Sequence, residues 1–63
     1  MIGDILFSLR KKGLYVEVKE GNRGCLFVRS LEDDDISPTE IGVHSMDLAM
    51  SIVRTLIEEG EVN

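Results

Sequence analysis

Tryptophan is absent from this chain, and cysteine, proline, histidine and tyrosine each occur once among its 63 residues. Each scarcity closes a route. One cysteine forbids an intrachain disulfide, and one cysteine with one histidine cannot supply a four-ligand zinc site. The usual staples of a very small fold are therefore missing, and stability must come from an apolar core or from self-association. No apolar run approaches the ~20 residues that span a bilayer. The lone thiol and the lack of a charged, apolar, then small-residue leader read as a cytoplasmic protein, in a host cell's cytoplasm if a phage encodes it.

What is present fits one domain, residues 1–63, because a chain this short buries only about 60% of the surface it exposes when unfolded. The net charge of −5 conceals two halves of opposite sign. Residues 1–31 hold six bases against three acids, +3, whereas residues 32–63 hold Arg54 against nine acids, −8. An acidic half of this strength attracts basic surfaces and repels nucleic acid, with steering that weakens as salt rises.

Ile2, Ile5, Leu6 and Leu9 recur at helical spacing, with Asp4 near the start and Arg10, Lys11 and Lys12 near the end, where they complement the helix dipole. Gly13 then supplies a left-handed stop. This spacing predicts a first helix, with Phe7 off its stripe. From Leu14 the period changes to two, with Leu14, Val16 and Val18 on one face and Tyr15, Glu17 and Lys19 on the other. A turn cluster at residues 21–24 and a run of strand formers at residues 25–31 complete a hairpin. Its loop parity leaves two registers open, Val18 opposite Phe27 or opposite Leu26 or Val28. In either register apolar groups join Tyr15 on the outer face, which calls for cover by the chain or by a partner.

Residues 39–44 read as a short third strand through Thr39, Ile41 and Val43, although Ser37, Pro38 and Glu40 also form a capping box for a helix. Residues 46–59 carry the strongest helical signal, with Met46, Ala49, Met50, Val53, Leu56 and Ile57 on one stripe that Leu48 and Ile52 widen. Glu58 and Glu59 stand in its last turn, where the dipole disfavours acids. The fold expected is α+β: a small antiparallel sheet between an N-terminal and a C-terminal helix, αβββα, or αββαα if residues 37–45 are helical.

No arrangement for catalysis emerges. Cys25 lies in a strand-like run with no base nearby in sequence, so it reads as a small core residue rather than a nucleophile. His44 and Asp47 offer two metal ligands at most. Asp33, Asp34 and Asp35 are adjacent on a loop, which is not a cleft, and they lack the ligand spacing of a calcium loop. The turn at residues 21–24 lacks a phosphate loop's lysine and following helix. Neither enzymatic activity, a metal nor a cofactor is expected.

The order of elements, carried by Asp4-Ile5-Leu6, the stretch 9–13, Tyr15-Val16-Glu17-Val18, Leu26-Phe27-Val28-Arg29 and Ser51-Ile52-Val53, resembles small αβββα phage anti-CRISPR proteins that act on type II RNA-guided nucleases. In that family acids occupy the groove where the nuclease reads DNA flanking its target, and the resemblance implies that role for Asp33, Asp34 and Asp35. A second resemblance is to TubC-type N-terminal docking domains of peptide synthetases, through Leu9-Arg10-Lys11-Lys12-Gly13 and Ser37-Pro38-Thr39-Glu40. That family is αββαα and pairs proteins through the hairpin edge. The expected function is thus a non-enzymatic binder and inhibitor that mimics nucleic acid toward a basic protein surface through Glu32, Asp33, Asp34, Asp35, Glu40, Asp47, Glu58 and Glu59. The alternative is a docking module that self-associates, as a homodimer, through Tyr15, Phe27, Leu48 and Ile52.

Overall fold

The computed structural model describes residues 3–62. Four strands, β1 (Ile5–Lys11), β2 (Leu14–Glu20), β3 (Leu26–Glu32) and β4 (Thr39–Val43), precede one helix, α1 (Met46–Val62). The strands form an antiparallel meander in the order β1-β2-β3-β4. The expected αβββα arrangement, and its αββαα alternative, are therefore wrong, because residues 5–11 form a strand and α1 is the one α-helix among the described residues.

The turn at Lys12 and Gly13 explains the error. Both residues have positive φ, 48° and 82°, as the two central residues of a type I′ hairpin turn require. Gly13 thus reverses a strand rather than capping a helix. The stretch Ile5, Phe7, Leu9 alternates as well as Ile5, Leu6, Leu9 fits a helical stripe, so periodicity alone is degenerate here. A helix of that length is marginal by itself, whereas β1 gains a ladder against β2, with Phe7 opposite Val18 and Leu9 opposite Val16. Phe7, which lay off the helical stripe, turns inward and packs against the core. Leu6 is an extra residue in this ladder, a bulge between Ile5 and Phe7; the predicted stripe position Ile2 lies outside the described residues.

The β2–β3 hairpin places Val18 opposite Val28 and Val16 opposite Ser30. Its connection is a short 3₁₀ turn, Asn22–Gly24, with Arg23 at φ 58°. Residues 39–43 extend the sheet as β4, with Val43 opposite Leu26 and Ile41 opposite Val28.

Ser45 starts α1 by accepting a hydrogen bond from the Leu48 N–H at its Oγ, 3.1 Å, while its carbonyl accepts from the Ala49 N–H. This satisfies donors a helix start otherwise leaves unpaired. The helix packs mainly across β2, β3 and β4 and seals a core of Val16, Val18, Val28, Val43, Ala49 and Val53. Five valines and an alanine make a slim core. The larger Phe7, Leu14, Leu26, Met50, Ile52, Leu56 and Ile57 surround it half-buried.

The candidate binding site at the acidic end

One face of the sheet is covered by α1, and no element among the described residues covers the other, the open face. Strand alternation puts Tyr15, Glu17, Lys19, Phe27, Arg29, Leu31 and Glu40 on the open face. Most of the expected site acids gather at one end of the sheet.

At that end, Glu32 closes β3 opposite Leu14, and the chain turns at once, since the Asp35 N–H donates to the Glu32 carbonyl at 3.0 Å. The Asp33 N–H donates to the Gly13 carbonyl at 2.9 Å. Its carboxylate lies so close to the β1–β2 turn that a Cβ on Gly13 would stand 3.3 Å from Asp33 Oδ2. Glu32, Asp33, Asp34 and Asp35 are all exposed. The last turns of α1 arrive at the same place. Leu14, Ser30, Glu32, Asp35, Thr39, Leu56 and Glu59 line one depression of about 270 Å³. Leu14 and Leu56 give its lining an apolar part, and Glu32, Asp35 and Glu59 bring three carboxylates. Glu58 is exposed one residue before Glu59.

Two of the expected acids do not join them. Asp47 is in the first turn of α1, about 18 Å along the helix axis from Glu59 at 1.5 Å per residue. Glu40 stands on the open face, its Oε2 3.2 Å from Arg29 Nε. That pair is within ion-pair range but is not aligned as a hydrogen bond, and Arg29 Nε is buried. Arg29 also reaches Glu17, Nη1 to Oε2 at 3.6 Å.

Glu17 was not among the expected site residues, yet it is only 7% exposed. Its burial under Arg29 and beside Tyr15 becomes visible only when the register sets Glu17 opposite Arg29. Tyr15 has its phenol pushed above the usual tyrosine range, chiefly because it hydrogen-bonds the Glu17 carboxylate, with some burial and the Glu17 charge adding to the effect. The Arg10 guanidinium, 5.1 Å from the Tyr15 ring centre, and Ser8 pull the other way.

The expected self-association residues lie on opposite sides of the molecule. Tyr15 and Phe27 belong to the open face, while Leu48, exposed, and Ile52, half-buried, belong to the helix on the other. One flat contact cannot use all four. Phe27 lies between Gly21 and Gly42, where a Cβ on Gly21 would collide with its ring and one on Gly42 would touch it at 3.4 Å. Cys25 is half-buried with its Sγ near Gly42.

Among the described residues no group of three or more His, Cys, Asp or Glu side chains is placed to hold a metal ion, and no helix is long and apolar enough to cross a membrane. Comparisons with protein-family models, with curated proteins and with solved structures returned no match.

Proposed function

We propose that the chain is a non-enzymatic binding domain of the cytoplasm whose acidic end docks onto a basic surface of another macromolecule and blocks it, as a decoy for nucleic-acid phosphates. The observation that carries this reading is the convergence of Glu32, Asp35 and Glu59, from β3, its following turn and α1, on one depression that Leu14 and Leu56 also line. Such a depression suits an arginine or lysine side chain of the partner. The aliphatic stem would cover the two leucines and the cationic head would meet the carboxylates. Asp33, Asp34 and Glu58 extend the anionic surface around it and attract a basic partner before contact.

The test has two steps. The bead-coupled chain is used to capture partners from a host lysate, which are identified by mass spectrometry, and the affinity of each purified partner is then measured from low to high salt. Replacing Glu32→Gln, Asp35→Asn and Glu59→Gln together is expected to weaken binding by at least about a hundredfold and to flatten its salt dependence. Unchanged affinity and salt slope would refute the docking mode. A partner whose contact surface is not basic would do the same.

A further inference from the structure

Resting on the docking role of the acidic end, we propose that Ile36 is its apolar anchor and that the partner surface is a basic amphipathic protein segment, with apolar side chains set between lysines or arginines. Ile36 is 102% exposed, whereas Ile5, Leu6, Ile41, Met46 and Leu48, the other exposed large apolar side chains among the described residues, lie between 39% and 56%. Those five are still partly covered by the protein around them. Ile36 touches nothing, so the fold gains no burial energy from it.

The local backbone has no use for it either. The β3–β4 connection, residues 33–38, otherwise consists of turn formers, three aspartates, a serine and a proline, and a β-branched apolar side chain suits a strand better than a turn. The connection is nevertheless held. The Asp33 N–H is bonded to the Gly13 carbonyl and the Asp35 N–H to the Glu32 carbonyl, and Pro38 disfavours helical backbone at Ser37. Ile36 therefore projects from a partly ordered loop, which lowers the ordering cost of burying it against a partner. A single exposed apolar residue needs no explanation by itself, but this one has a particular place. Asp35 and Thr39, on either side of it in the chain, both line the acidic depression, so Ile36 stands at its rim.

Charge complementarity determines the chemistry of the occupant. Asp33, Asp34 and Asp35 directly precede Ile36, and Glu32 and Glu59 line the same depression. A surface that buries Ile36 must therefore bring cations to the same place or strip water from carboxylates that gain no partner. A nucleic acid would set like charges against these acids, and an uncharged apolar groove would leave them unpaired. A basic amphipathic segment meets both demands. One lysine or arginine enters the depression, with its stem along Leu14 and Leu56, while Ile36 packs between the apolar side chains of the segment. An apolar anchor inside a charged rim gives a part of the affinity that salt does not screen.

Two synthetic lysine-rich peptides serve as probes, one with leucines at helical spacing between its lysines and one of equal length and charge with serines in their place. Titration calorimetry of the chain with each, from low to high salt, is expected to show at least about tenfold tighter binding of the leucine peptide. Ile36→Ser should remove that preference. It should leave the affinity for the serine peptide, the salt slope and the urea midpoint unchanged, because the side chain touches nothing in the free protein. A chain that binds neither peptide, that does not distinguish them, or that keeps its preference after Ile36→Ser would overturn the proposal. Glu32→Gln, Asp35→Asn and Glu59→Gln together should instead weaken both peptides and flatten the salt slope. If only Ile36→Ser is without effect, the anchor falls and the docking role stands; if the triple replacement is without effect, both fall.

Discussion

Gly21→Ala is expected to destabilise the protein in the presence of Phe27 and to stabilise it in its absence. Gly21 has extended backbone angles, φ −116° and ψ −163°, so the backbone places no demand for glycine there. Reducing the freedom of the unfolded chain should then stabilise the fold by about 0.4–1 kcal/mol. Against this, the new Cβ would overlap Phe27 Cε2, sit 3.0 Å from Cδ2 and approach the Cys25 carbonyl at 3.3 Å. Overpacking of this kind costs about 1–3 kcal/mol, and a half-buried ring that can slide toward Gly42 falls at the lower end. The net loss is about 0.5–1.5 kcal/mol, a fall of several degrees in Tm at about 4–8 °C per kcal/mol for a domain of this size. With Phe27→Ala the ring is gone, and the entropic gain is opposed only by the 3.3 Å approach to the Cys25 carbonyl. Thermal and urea unfolding of the four proteins in this cycle would measure the coupling. A stabilising Gly21→Ala in the otherwise unaltered chain would refute the seat assigned to the Phe27 ring.

Val18→Ala removes two carbons at a fully buried position and should cost about 2–3 kcal/mol from lost transfer energy plus the cavity. A 63-residue domain has about 3–9 kcal/mol in total, so urea denaturation should show a large drop in the midpoint; a change below about 0.5 kcal/mol would contradict the valine core. Tyr15 is the only tyrosine, so phenolate absorbance reports it alone. Its midpoint should lie above 10 and fall when Glu17→Gln removes the carboxylate that raises it. Because the folded-state value is raised, the unfolded chain loses this proton first as pH climbs. Stability from this group is therefore complete below about pH 10 and declines from there up through the folded-state value. A midpoint unmoved by Glu17→Gln would show that the hydrogen bond is not the cause.

Much of the chain was legible from local pattern. The strict alternation from Leu14 to Lys19, the turn residues 21–24 and the 3.6-residue stripe after Ser45 each serve one element and match what forms. The first eleven residues did not behave this way, because Ile5, Leu6, Phe7 and Leu9 satisfy a helical and a strand period together. The decision lay in a turn whose Lys12 and Gly13 both accept positive φ, and in the ladder that β2 then offers. Glu32, Asp33, Asp34, Asp35 and Glu59 were recognisable as unusual charge. That Glu32, Asp35 and Glu59 share one depression, while Glu40 and Asp47 stand elsewhere, was not.

By itself the order of residues settled composition, the opposite signs of the two halves, the absence of covalent staples, and every element whose apolar period admits one reading. Tertiary structure decided the rest: the N-terminal strand, the hairpin register that buries Glu17 beneath Arg29, and the meeting of β3's end with the last turns of α1. The physical reason is range. Backbone propensity and side-chain period act over a few neighbours, whereas ladder pairing and charge placement depend on residues far apart in sequence that touch only once the sheet has formed.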